Sequence, residues 1–195
     1  MSESLRIAIA DDEEELLADL EETLREFGHE VVVQAKNGQE LVAGCRKTAP
    51  DLVITDIKMP DMDGLEAAAQ ICQEKPLPFV ILSAYHDPIF VERAIKEHVL
   101  AYLVKPLSDQ SLKTSITLAM RRFKEFNALH EQAANLQQAL EDRKTIERAK
   151  GILMTRAQMS EQDAFRRLQL LSSQKNRKMI EIAHSIVEAE EACKL

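Results

Sequence analysis

Four separated polar positions in this 195-residue chain are of the types that handle a divalent cation and a phosphoryl group: the pair Asp11-Asp12, a lone Asp56, Ser83 and Lys105. Carboxylate oxygens suit a hard cation such as Mg2+, which keeps several waters and takes only one or two carboxylates. Asp12, Asp56 and water could supply those ligands. With the cation present, a carboxylate can attack a phosphoryl donor without severe repulsion, while an ammonium and a hydroxyl stabilise the charge that develops on the phosphoryl oxygens. Asp56 stands alone after an apolar run and is the best nucleophile; Lys105 would supply the ammonium and Ser83 a hydrogen bond. Singly, these residues have plainer uses. Asp12 before Glu13–Glu15 suits a helix start, and Ser83 an ordinary strand end.

Their joint placement carries the reading. Each lies at or just past the end of a short apolar run: Leu5 to Ala10, Leu52 to Ile54, Phe79 to Leu82, and Ala101 to Val104, with a fifth run at Glu30 to Ala35. The runs are rich in Val, Ile and Leu and nearly continuous, as strands covered on both faces should be. Helical patterns separate them. Leu16, Leu17, Leu20, Leu24 and Phe27 recur at helical spacing and stop at Gly28, a residue suited to a left-handed cap. Weaker patterns fill Gln39 to Thr48, Leu65 to Glu74 and Pro88 to Glu97. Strands alternating with helices predict an α/β domain over residues 5–120, a doubly wound five-stranded parallel sheet. In such a sheet the C-terminal strand ends share one crevice, which would gather all four positions.

The remaining residues differ in charge. Residues 1–120 hold 11 Lys+Arg against 22 Asp+Glu, a net of −11, whereas 121–195 hold 14 against 11, a net of +3. The block Arg143 to Lys178 alone carries 10 basic and 3 acidic residues. A basic block behind an acidic domain suggests an anionic partner, although a solvated helical surface would look the same. No Gly or Pro occurs between Pro106 and Gly151, so a helix could run on past the first domain. Within it Phe126, Leu129, Ala133, Leu136 and Leu140 alternate spacings of 3 and 4, a coiled-coil seam in a linker over 121–142. A helix packed on its own domain is the alternative. From Arg143 the chain reads as three short helices. Ser160 with Asp163 approximates a capping box and Asn176 suits an N-cap. Ile146, Ile152 and Leu153, then Ala164, Phe165, Leu168 and Leu171, then Ile180, Ala183, Ile186 and Val187 would form a mutual core. Phe165 reads as core first and as a base-stacking ring second.

No apolar run approaches the ~20 residues that span a bilayer, and Met1 to Arg6 lacks a signal peptide's apolar stretch, so a cytoplasmic location is expected. Cys45, Cys72 and Cys193 show no metal-ligand spacing and read as reduced thiols.

The segments "IADDE", "DLVITDIKMPDMDG", "ILSA" and "AYLVKP" strongly resemble the receiver domain of two-component response regulators. The resemblance implies a flavodoxin-like fold in which Asp56 accepts a phosphoryl group from a sensor histidine kinase. It also implies that Mg2+ is bound directly by Asp12 and Asp56, through water by Asp11, and by the backbone carbonyl of Lys58. Ser83 and Tyr102 would be the switch pair, Lys105-Pro106 a cis peptide, and Lys58 and Tyr85 positions that tune loss of phosphate. Gly64 most simply permits the turn into the third helix. No general enzyme activity is implied beyond the domain's own phosphorylation and dephosphorylation.

The segment "IERAKGILMTRAQMSEQDAFRRLQLLSSQKNRKMIEIAHSIV", with Ala149-Lys150-Gly151, Ala164-Phe165, Leu168 and Asn176, closely resembles the ANTAR domain of transcription antitermination regulators, over residues 125–187. That resemblance implies a three-helix module that binds RNA hairpins in nascent transcripts. Lys150, Arg156, Arg166, Arg167, Asn176, Arg177 and Lys178 are the candidate RNA contacts. The combined expectation is a phosphorylation-controlled antiterminator that becomes a homodimer on activation. Two other readings compete. A DNA-binding response regulator would also fit three basic helices. A phosphohydrolase would use the same Asp, Mg2+ and Lys, but Lys58 stands where such enzymes carry a second Asp. His130-Glu131 resembles the His of a phosphotransfer helix, yet a solvated coiled-coil His is simpler.

Overall fold

The computed structural model describes residues 4–83 and 99–192. The expected helix Pro88 to Glu97, Tyr85 and Cys193 lie outside the described residues. Five strands form one parallel sheet: β1 (Arg6–Ala10), β2 (Glu30–Ala35), β3 (Leu52–Asp56), β4 (Phe79–Ser83) and β5 (Val99–Val104), in the order β2-β1-β3-β4-β5. Among the described residues the helices are α1 (Glu14–Glu26), α2 (Gly38–Thr48), α3 (Gly64–Glu74), α4 (Asp109–Ala157), α5 (Glu161–Lys175) and α6 (Met179–Ala192). Two compact units divide the chain between Asn127 and Ala128, inside α4.

In the first unit the period-two alternation of the strands feeds two apolar layers. Ile7, Ile9, Leu52, Ile54, Val80 and Leu82 pack with Leu17, Leu20 and Leu24 of α1 and Leu112, Ile116 and Ala119 of α4. Ala8, Ala10, Val53 and Phe79 face the other way, against Leu41, Val42 and Cys45 of α2 and Ala67, Ala68 and Ile71 of α3. Every residue of β3 and β4 is buried, which is why those runs read as continuous apolar sequence. Gly28 ends the α1 turn in the left-handed region at φ 85°. Burial pushes the Cys45 thiol up to about 12, so it stays a protonated packing group.

The second unit is the C-terminal part of α4 with α5 and α6. The first of the three short helices expected from Arg143 is therefore not separate; it is the end of the 49-residue α4. Nothing in Asp109–Ala157 breaks the helix, since Gly151 costs only about 1 kcal/mol relative to Ala there. Ala149, Leu168, Ile182, Ala183 and Val187 form the centre, with Ile146, Ile152, Leu153, Leu171, Met179 and Ile186 around it.

Two local expectations are corrected. Asn176 closes α5 rather than opening the next helix. It sits in the left-handed region at φ 48°, its N–H donates to the Ser173 carbonyl at 3.3 Å, and the Arg177 N–H donates to that of Ser172 at 3.1 Å. Asn is among the few residues that tolerate this conformation at a helix end. Phe165 is not core: it is 40% exposed, because Ala164 and Leu168 already fill the positions that face the other helices. At α5's start, the Ser160 Oγ accepts the Asp163 N–H at 3.2 Å and donates to the Asp163 carboxylate at 2.7 Å.

Candidate functional site

The parallel order brings the ends of β1, β3, β4 and β5 side by side, and with them most of the predicted pocket. Asp11 follows β1 and is fully buried; Asp56 ends β3 at 7% exposure; Ser83 ends β4 and is buried. Lys105 follows β5, and its Nζ donates to Asp11 Oδ2 at 2.8 Å and lies 3.4 Å from Asp56 Oδ1. The Lys105 N–H also donates to the Ser83 carbonyl at 2.8 Å, so β4 and β5 stay paired up to the pocket rim. The Lys105-Pro106 peptide is cis. Asp12 is exposed; it is Asp11 whose Oδ1 accepts the Glu13 N–H at 3.0 Å at the start of α1. Tyr102 on β5 is half-buried against Ile57, Leu65 and Ile81.

Gly64 has a different basis from the one expected. Its φ is not in the left-handed region; instead a Cβ at this position would lie 2.0 Å from the Asp56 carbonyl oxygen. The start of α3 thus presses directly on the strand end that carries Asp56, and the Gly64 N–H donates to the Ile57 carbonyl at 2.9 Å. A methyl group there would force α3 and the strand end that carries Asp56 apart.

Electrostatically the pocket holds more negative than positive charge. Burial raises the Asp56 carboxyl above its ordinary value, and the nearby Asp11 adds to this; Lys105 and the Lys58 N–H, which donates to Asp56 Oδ2 at 3.0 Å, pull the other way. Burial works against the Lys105 ammonium, but its hydrogen bond to Asp11 and the charges of Asp56 and Asp11 win, so its pKa is raised. A third carboxylate, Glu13, lies 3.9 Å from the same Nζ and is not one of the four strand-end positions. Its position directly after the Asp11-Asp12 pair was the only signal. The donor set of Asp11, Asp56 and backbone carbonyls is all hard oxygen, which fits Mg2+. Among the described residues no three His, Cys, Asp or Glu side chains converge into a ready-made metal cage. Mg2+ does not demand one, since water completes its shell.

In the basic module the predicted cations do not share one environment. Lys150 is buried and donates to Glu147 at 3.0 Å and to Glu161 at 2.8 Å, which ties α4 to the first turn of α5. Hydrogen bonds to Glu161 and Glu147 raise its pKa, and Lys150 in turn holds Glu161 below the usual carboxylate range. Arg156 is bonded to Glu190 at 3.0 Å, and Arg177 to Glu181 at 2.9 Å. Arg166, Arg167 and Lys178 are exposed and carry no ion pair among the described residues. The Glu147–Lys150 spacing of three was readable in the sequence; Glu161, across the turn, was not.

Comparison with known proteins agrees with both halves. Residues 7–117 match the response regulator receiver domain and residues 134–187 the ANTAR domain. The chain is 43% identical over 183 residues to the transcriptional regulatory protein PdtaR of Mycobacterium tuberculosis, covering 94% of this chain and 89% of that one. A response regulator receiver domain protein from Clostridium thermocellum, 31% identical, superposes with a TM-score of 0.57 over 62% of this chain and 98% of its own. A CheX-CheY complex from Borrelia burgdorferi containing BeF3 and Mg shares the fold at 23% identity and TM-score 0.55, over 57% of this chain and 85% of that one. No described helix is long and apolar enough to cross a membrane. An acid-lined strand-end pocket on a 2-1-3-4-5 parallel sheet, followed by a compact basic helical module, places this chain among the two-component response regulators, with a receiver domain followed by an ANTAR domain.

Proposed function

We propose that this protein is a phosphorylation-controlled RNA-binding antiterminator of the cytoplasm. The observation that carries the reading is the Lys105 ammonium held between Asp11 and Asp56 at the sheet's C-terminal edge. Asp56 attacks the phosphorus of a phosphohistidine on a sensor kinase; the P–N bond breaks as the new P–O bond forms, and the imidazole leaves and takes up a proton. Lys105 neutralises charge on the incoming phosphoryl oxygens, and the Ser83 hydroxyl hydrogen-bonds to them. Asp11, Asp12, Asp56 and the Lys58 carbonyl would hold Mg2+, which screens donor and carboxylate from each other. Tyr102, already half-buried beside Ile81, follows Ser83 in the switch.

Output falls to the module over 134–187. Arg166, Arg167 and Lys178 are its readiest phosphate contacts, with Asn176, Arg156 and Arg177 as neighbours; Arg156 and Arg177 must exchange their carboxylate partners for RNA. Lys150 is better read as a fold-holding cation. Leu129, Leu136 and Leu140 are 66%, 73% and 55% exposed, and the 3 and 4 spacing they make with Phe126 and Ala133 supports pairing with a second copy on activation. Two modules on one dimer gain affinity for paired hairpins through effective concentration.

Titration of a paired-hairpin RNA with unmodified and acyl-phosphate-treated protein tests this. Phosphorylation should tighten binding by about 5- to 150-fold, the span of a typical coupling energy. Equal affinities would remove phosphorylation control, and displacement of the RNA by duplex DNA at matching concentration would favour a DNA-binding output.

A further inference from the structure

A lone exposed apolar side chain needs no explanation on most surfaces. Phe165 differs in its setting. On α5 it shares one solvent face with Gln162 one turn before it, its neighbour Arg166, and Gln169 and Ser173 one and two turns on, and all four are exposed. Ala164 and Leu168, its neighbours in the chain and one turn on, are fully buried, so the backbone beneath the ring is fixed by the core. The ring is 40% exposed, so more than half of its surface is covered by the protein and its freedom is already reduced before any ligand arrives. The first turn of α5 is pinned as well: Glu161, one turn before Phe165, accepts from the buried Lys150 at 2.8 Å, and Ser160 caps the helix.

We propose that Phe165 is a stacking platform for one unpaired base of an RNA loop, with Arg166 on the adjacent phosphate and the Gln162 and Gln169 amides at the base edge. The inference rests on the RNA-binding reading above and names the element of the RNA that is read. Aromatic rings stack on any base, and a flanking guanidinium adds cation–π and phosphate contact, whereas amides donate to and accept from base edges. A duplex without a loop offers no such base, because its rings are stacked on one another. The carboxylate-paired Arg156 and Arg177 lie on α4 and next to α6, off this stripe, so the ring and Arg166, which carries no ion pair among the described residues, are the more available pair.

The test uses the full-length chain and hairpin RNAs with randomised loops enriched on it, each loop purine then replaced in turn by 2-aminopurine. Phe165→Leu should weaken binding by about 5- to 100-fold and abolish fluorescence quenching at one loop position. Phe165→Trp should bind as wild type, with its indole emission quenched by unlabelled RNA, which keeps the test decisive if the Leu variant folds poorly. Unchanged affinity and quenching in Phe165→Leu, or an unquenched indole in a Trp variant that binds RNA, overturns the stacking role while RNA binding stands. So does a Leu variant whose defect is in self-association by sedimentation and not in RNA affinity, for the ring would then be a protein contact. If no RNA is enriched on the wild-type chain, the RNA-binding reading falls, and this one with it.

Discussion

Lys105 and Lys150 are both lysines drawn out of solvent onto two carboxylates, with side chains 18% and 9% exposed, yet their surroundings differ in the partners. Around Lys105 the two nearest carboxylates are buried too: Asp11 is fully covered, and the Asp56 side chain is 10% exposed, with only the more distant Glu13 open to water. Around Lys150 they are open to water, Glu147 at 56% and Glu161 at 67%. The consequence is opposite in sign. Asp56 is pushed above the ordinary carboxyl range, whereas Glu161 is held below it. One ammonium satisfies two hydrated carboxylates and closes a joint between helices. The same ammonium among dehydrated carboxylates leaves negative charge uncompensated, which is the surplus that the proposed cation would meet.

The largest test of this contrast is on phosphorylation. Lys105→Ala should slow acyl-phosphate labelling of Asp56 by about 100-fold, as loss of one transition-state charge partner does elsewhere, while Lys150→Met leaves the rate unchanged. Labelling followed by phosphate-affinity gel checks both, and equal defects would erase the distinction. Next in size, Lys150→Met should lower hydrogen-exchange protection across α5, because two helices lose their tie. Arg166→Ala should keep that protection, weaken RNA binding several-fold and reduce the salt slope by about one.

A smaller effect concerns stability. The folded pKa of Asp56 is raised, so its ionised form opposes folding above that pKa, and the penalty vanishes below the unfolded value. Asp56→Asn should therefore melt a few degrees above wild type at pH 7, and the two should converge below pH ~4, where the unfolded carboxyl is protonated. Glu161 runs in the opposite direction: its pKa is lowered, so its contribution is present above the unfolded value and fades as pH falls through the folded one. Glu161→Gln should make the smallest change, a slight loss of α5 protection at pH 7 that disappears in acid, read by the same exchange experiment.

Much of this was legible because burial on both faces of a parallel sheet forces continuous apolar runs. Those runs by themselves place Asp11, Asp56, Ser83 and Lys105 at or just past strand ends. The β3 and β4 boundaries fell one or two residues short, since Thr55, Asp56 and Ser83 are polar yet belong to their strands. Asn176 misled because the same short side chain serves both ends of a helix: its carbonyl can cap a following start, and its backbone tolerates the left-handed region that ends a preceding one. Phe165 misled because aromatic residues are usually core, and only the packing of Ala164 and Leu168 shows that no room is left for it.

By itself, then, the sequence determined the sheet, the identity of the strand-end residues and the division into an acidic and a basic half, because period, run length and charge are local properties of a chain. Tertiary structure decided how charges share partners. That Lys105 sits between buried carboxylates and Lys150 between hydrated ones, that Gly64 must lack a side chain because of the Asp56 carbonyl, and that Phe165 faces solvent all depend on which distant segments meet. Burial and pairing are set by those meetings, and no local pattern carries them.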